Sequence, residues 1–261
     1  MIALLTDFGP SAYVGVIKGV IYRHHPQARV IDICHDIRPF AVREGAWLLL
    51  TAYRYFPKGT VFLAVVDPGV GSERQLLAVA TRNYYFVGPD NGLLYPAADA
   101  DGITAIVSIE RPPGAARTFE ARDVFAPAAA KLDRGIPISA LGPPACMAHH
   151  LQFYRQDREG EVVYVDRFGN IITNLPPHPG SSYYQVTAGA FRTKLPHYPT
   201  YAAAPPGKVF LVTGSAGTLE ISLRNASVAE MLPLEPGTRI SIVPCQDIRG
   251  EVTTGVTNPG S

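Results

Sequence analysis

Val61-Phe62-Leu63-Ala64-Val65-Val66-Asp67-Pro68-Gly69-Val70-Gly71-Ser72-Glu73-Arg74 carries the strongest architectural signal in the chain. An unbroken apolar run ends at an aspartate and a glycine-rich turn. Such a run predicts a strand covered on both faces, the habit of sheets flanked by helices. On its N-terminal side, Ile2–Leu5 and Val30–Cys34 read as two further strands. Between them Tyr13 to Arg23 carries Val16, Ile17, Val20 and Ile21 at helical spacing, and Glu44 to Tyr55 reads as a helix stopped near Pro57. On its C-terminal side, Leu76–Ala80 and Tyr84–Val87 read as strands, Asp90-Asn91-Gly92 as a turn, and Asp123 as the N-cap of a helix through Leu132. Pro127 falls in that helix's first turn or just beyond, where a missing N–H costs least. Alternating strands and helices over residues 1–150 predict an α/β domain.

The texture changes after Pro143-Pro144. Gln156-Asp157-Arg158-Glu159-Gly160 reads as a polar linker. Short β-branched or aromatic stretches follow: Glu161–Val165, Tyr183–Val186, Val209–Val212, Leu219–Leu223 and Thr238–Val243. They predict a smaller antiparallel β-barrel or sandwich over residues 160–250, with a loose polar tail at 251–261.

Composition narrows the function. Twenty-three basic side chains face twenty-two acidic ones, with no basic run, so nucleic acid is an unsuitable partner. The three cysteines, Cys34, Cys146 and Cys245, lie far apart, which fits reduced thiols and a cytoplasmic setting. Met1–Leu5 lacks the basic start of a leader, and no apolar run is long enough to span a membrane. The pairs His24-His25 and His149-His150 lack the spacing of metal ligands, so neither a metal nor a cofactor is expected.

Four segments offer chemistry, each beside a plainer alternative. Asp7, in Thr6-Asp7-Phe8-Gly9, follows the first strand, where ligands gather in open sheets. It can accept two hydrogen bonds from a ribose diol; the alternative is a cap or turn aspartate. The turn after Val66 can fold Arg74 back onto Asp67, either as a site or as a structural ion pair. Glu120 precedes a helix, where an acid is favoured, and reads first as a charged cap. In Asp166-Arg167-Phe168-Gly169-Asn170, Phe168 can stack on a base and Asn170 can address a purine edge; otherwise the segment is a bulge. Gly214-Ser215-Ala216-Gly217 lacks the spacing of a nucleophile elbow and reads as a hairpin turn.

Taken together and in order, these segments resemble the S-adenosylmethionine hydroxide adenosyltransferases, relatives of the fluorinases and chlorinases. The resemblance rests on Thr6-Asp-Phe-Gly9, Tyr13-Val-Gly15 with Lys18-Gly19, Asp32-Ile-Cys-His-Asp36, Val66-Asp-Pro-Gly-Val-Gly-Ser72 with Arg74, Gly88-Pro-Asp-Asn-Gly-Leu93, Arg122-Asp-Val-Phe-Ala-Pro127 and Phe168-Gly-Asn170. It implies an N-terminal α/β domain, a C-terminal β-barrel, and a homotrimer whose sites lie between subunits. It implies S-adenosylmethionine as substrate and adenosine as product. Asp7 would hold the ribose, Phe40 would line the pocket near the sugar, and Phe168 and Asn170 would take adenine. Ser215 would lie near the methionine part, while Asp67 and Arg74 would activate water.

Two positions depart from the pattern. Glu120 stands where the resemblance calls for a histidine, and Ala12 where it calls for an aspartate. If buried near Asp67, Glu120 would have a raised pKa and act as a general base; if turned away, the site loses a partner. A protein that binds S-adenosylmethionine or adenosine without turning it over is therefore the alternative, as is another nucleotide hydrolase using the same turn. A halogenase fits less well, because Asp67 would repel a halide and the segment from Asp67 to Gly88 is short.

Overall fold

The structure, a computed structural model, describes residues 1–246. The tail expected at 251–261 lies outside the described residues, as does the end of the 160–250 span. The chain divides into two compact units, the first ending at Gln152 and the second beginning at Phe153.

The first unit runs β1 (Ile2–Thr6), α1 (Ala12–His24), β2 (Val30–Cys34), α2 (Val42–Ala52), β3 (Val61–Val65), β4 (Leu76–Thr81), β5 (Tyr85–Pro89), α3 (Tyr95–Asp101), β6 (Ile103–Ser108) and α4 (Ala126–Asp133). The sheet order is β2-β1-β3-β5-β4-β6. The pairs β1–β2, β1–β3 and β3–β5 are parallel, while β4 runs antiparallel to both β5 and β6. Every residue of β1 and β3 is buried, as continuous apolar strands require. Helix α1 packs on α4, and α2 on α3.

Strand β1 sits between β2 and β3, so consecutive crossovers leave it in opposite directions. That is a switch point, where a crevice opens beyond the carboxyl ends of strands. The register pairs Thr6 with Val65, which brings Asp7 and the segment from Val66 to Asp67 to the same edge. Asn91 ties the next turn to this edge: its amide donates to the Val66 carbonyl at 2.9 Å and its side-chain oxygen accepts from Leu93 N–H at 3.1 Å.

Three local expectations need correction. On α1, Ile17 and Ile21 are buried one turn apart, but Val16 is 41% exposed because it lies about 100° round the helix from Ile17. Asp123 is no N-cap. It lies inside a single π turn, Ala121–Phe125, that runs into α4; its carboxylate accepts from Ala116 N–H at 2.8 Å and pairs with Arg122. Residues 156–160 are a tight turn and not a linker, because Gln156 and Glu159 exchange both backbone hydrogen bonds at 2.9 and 2.8 Å.

The second unit runs β7 (Glu159–Val165), β8 (Ile171–Thr173), β9 (Tyr183–Ala188), β10 (Phe191–Tyr198), β11 (Val209–Thr213), β12 (Leu219–Leu223) and β13 (Arg239–Cys245). They close into a barrel, in the order β10-β11-β12-β8-β7-β13-β9, rather than a sandwich. Its pairs are antiparallel except β10 with β11. Val162, Ile171, Tyr184, Leu211, Ile221 and Ile242 fill the core. Among the described residues no helix is long and apolar enough to cross a membrane.

Candidate active site

At the switch point of the first unit a cavity of about 700 Å³ opens, lined by Asp7, Tyr13, Phe40, Asp67, Phe119 and Glu120 among others. Its size suits one small-molecule ligand. Four of the sequence-predicted residues meet here on its wall, and Arg74 stands bonded to two of them.

The turn from Asp67 to Arg74 folds back on itself. Asp67 Oδ1 accepts from Gly69 N–H at 3.1 Å, and Ser72 N–H donates to the Gly69 carbonyl at 3.1 Å. Gly71 has φ +82°, and a Cβ there would sit 2.9 Å from the Arg117 carbonyl oxygen, so glycine is required twice over. The fold-back places Arg74 Nε 2.9 and 3.0 Å from the two Asp67 oxygens, while Nη2 donates to Asp67 Oδ2 as well. Both side chains are buried. Arg74 Nη1 is also buried and has no hydrogen-bond partner among the described residues.

Glu120 is fully buried and lies directly before the π turn. Its Oε2 accepts from Arg74 Nη2 at 2.6 Å, and its Oε1 accepts from Arg111 Nη2. Burial pushes the Glu120 carboxyl up, but the hydrogen bonds and charges of Arg74 and Arg111 outweigh it and hold the group below the ordinary carboxylate value. The raised pKa expected of a buried Glu120 is therefore reversed. Burial likewise lowers Arg74, yet Asp67 and Glu120 carry its pKa above the usual arginine value.

Asp7 and Phe40 face the same cavity. Asp7 Oδ2 accepts from Phe40 N–H at 2.9 Å. Phe40 has φ +69°, in the left-handed region that non-glycine residues avoid, and the residue is 68% exposed. Beside it Phe8, Tyr13 and Phe119 form an edge-to-face cluster, with Tyr13 and Phe119 centroids 5.1 Å apart.

The second unit has a cavity of about 730 Å³ lined by Asp166, Phe168, Asn170, Tyr201, Arg224 and Ala226 among others. Asp166 organises the turn between β7 and β8. Its Oδ1 accepts from Phe168 N–H and Asn170 N–H at 2.9 Å each, and its Oδ2 accepts from the Asn170 amide at 2.9 Å. With its amide nitrogen turned to Asp166, Asn170 presents its carbonyl oxygen as an acceptor. The Phe168 ring is 71% exposed and free to stack. Tyr201, which the sequence reading missed, donates to Glu220 Oε2 at 2.6 Å. Burial drives the Glu220 carboxyl up, with Asp166 adding to the rise against the Tyr201 hydrogen bond. Ser215 is exposed on the β11–β12 turn and lines neither cavity.

Family models show where the chain belongs. The SAM hydroxide adenosyltransferase N-terminal domain matches residues 2–142, and the C-terminal domain of the same family matches residues 160–241. The chain belongs to the SAM hydroxide adenosyltransferase family. Among its relatives, a protein of Thermus thermophilus named (R)-S-adenosyl-L-methionine hydrolase is 37% identical over 255 residues, covering 92% of this chain and 98% of the relative. A Salinispora arenicola protein of the same name is 36% identical over 254 residues, covering 92% and 97%. A fluorinase of Nocardia brasiliensis is more distant, at 25% over 288 residues, covering 93% and 96%. The crystal structure of an uncharacterised conserved protein from Thermotoga maritima superposes with a TM-score of 0.87 at 36% identity, covering 93% of this chain and 100% of that one. This adenosyltransferase-family chain thus joins the Asp67–Arg74 pair to a buried carboxylate, Glu120, with a second arginine behind it.

Proposed function

We propose that this protein hydrolyses S-adenosylmethionine to adenosine and methionine. A water oxygen attacks the ribose 5′ carbon. The C5′–S bond breaks with its electron pair going to sulfur, methionine leaves as a neutral thioether, and the water proton passes to solvent through Asp67. A sulfonium leaves readily, so the reading uses neither metal nor cofactor; the barrier lies in making water, of pKa about 15.7, a nucleophile.

The observation that carries this is Asp67 on the wall of the first-unit cavity, gripped at both oxygens by Arg74 behind it and at the same sheet edge as Asp7. Asp67 orients the water, and Arg74, permanently charged and bound to both Asp67 oxygens, stabilises the developing hydroxide through its charge. Asp7 takes the ribose hydroxyls, with Phe40 beside the sugar. Phe168 and Tyr201 flank adenine, and the Asn170 carbonyl accepts from its amino group. Ser215 is assigned to the methionine part. Glu120, held low by two arginines, positions Arg74 rather than removing the proton. The Asp67 carboxylate on the cavity wall disfavours a halide nucleophile.

The three free cysteines fit a reducing cytoplasm, and the working assembly is a homotrimer. Incubation with S-adenosylmethionine followed by chromatography tests the reading. Equal amounts of adenosine and methionine are expected. Tight binding without product would make the protein a sensor, and absence of binding would overturn both.

A further inference from the structure

Four charged side chains form one chain of contacts in the first unit: Asp67, Arg74, Glu120 and Arg111. The first three are almost wholly buried, with side-chain exposures of 4%, 6% and 0%. Arg111 is 30% exposed and stands at the outer end. Without it, one guanidinium would face two buried carboxylates, and a buried charge lacking compensation is expensive. Arg74 Nη2 already donates to both Asp67 and Glu120, so the two acids compete for the same group.

Arg111 also lies at a strategic place in the chain. It follows β6, and its contact with Glu120 ties together the two ends of the loop 111–120. That loop supplies Ala116, Thr118 and Phe119 to the cavity wall.

We propose that Arg111 is a positioning residue of the water site: its guanidinium balances Glu120, so that Arg74 remains committed to Asp67. This deepens the hydrolase reading and rests on it for the activity readouts. The charged groups facing Glu120 are Arg74 and Arg111. Asp67 lies across Arg74, Arg122 is turned to Asp123, Arg117 to Glu73, and Asp7 lines the same cavity.

The test compares wild type with Arg111→Gln, Arg111→Lys and the double variant Arg111→Gln/Glu120→Gln, by kcat against pH and by carboxyl-carbon NMR titration of Glu120. In Arg111→Gln the buried carboxyl loses its outer cation, so burial carries its pKa above the wild-type value and brings its titration into view. Above that midpoint ionised Glu120 draws Arg74 from Asp67, and kcat falls as pH rises, by about tenfold or more, with KM held within about threefold. Wild type shows neither the titration nor the alkaline fall. Arg111→Lys keeps the charge and recovers most of the loss, and the double variant lacks the alkaline fall. If Arg111→Gln does not fold, the double variant must, since the uncompensated charge is gone; an equally unstable double variant overturns the proposal. So does an Arg111→Gln profile parallel to wild type, or a Glu120 carbon that stays ionised throughout. Should wild type turn over no S-adenosylmethionine, the hydrolase reading fails, and the NMR titration still decides the role of Arg111.

Discussion

Asp67 accepts both a backbone N–H and a two-pronged guanidinium, which fixes its oxygens with little freedom to turn. An asparagine of the same shape would keep the turn but lose the charge to which we assign the orienting of water. Asp67→Asn is therefore expected to lower kcat by about 10²–10³ with a much smaller change in KM, read from adenosine release. Glu120 has a pH signature of its own. Its folded-state pKa lies below its ordinary value, so the stability it contributes is complete above the unfolded value of about 4.3 and is lost as pH falls through the folded one. The urea midpoint of wild type should drop as pH is lowered through that window, and that of Glu120→Gln should drop less; equal slopes would show that Glu120 is not ionised in the folded protein. The Asp67–Arg74 pairing was legible in the sequence, because a glycine-rich turn of that length returns the chain on itself. The ionisation of Glu120 was not, because it depends on Arg111, nine residues upstream and marked by no spacing.

Among the elements, the segment between β2 and α2 carries the clearest strain. Phe40 sits at φ +69° with an exposed ring, held by the Asp7 carboxylate on its N–H. Left-handed backbone costs a residue with a Cβ about 1–2 kcal/mol, and an exposed ring returns little packing energy. Phe40→Gly should accordingly leave the melting temperature unchanged or raised while KM for S-adenosylmethionine increases several-fold. A lower melting temperature with unchanged KM would place the ring in folding rather than in binding. Elements built on hydrophobic period were readable: β1, β2 and β3 lie where their apolar runs lie. The short α3, β8 and the irregular β10, with Pro196 inside it, carry too little period to be seen, and Asp123 was misread because a π turn precedes α4.

On the scale of the molecule, each unit contains a cavity large enough for a nucleoside, and a barrel without open edges gives the second a rigid frame. The change from helix-and-strand alternation to serial strands announced an α/β unit followed by an all-β unit; barrel closure through the parallel β10–β11 pair was beyond the reach of pattern alone. Light scattering should give the mass of three 28.1 kDa chains, and a monomer at working concentration would remove the homotrimer from the account. In the proposed reaction water itself attacks the 5′ carbon. Turnover of S-adenosylmethionine in ¹⁸O-labelled water, with mass spectrometry of the nucleoside, tests it most directly. Attack by water places one ¹⁸O atom in adenosine, at the 5′ oxygen, and leaves methionine unlabelled; adenosine without label, or a nucleoside lacking a 5′ hydroxyl, would rule water out as the nucleophile.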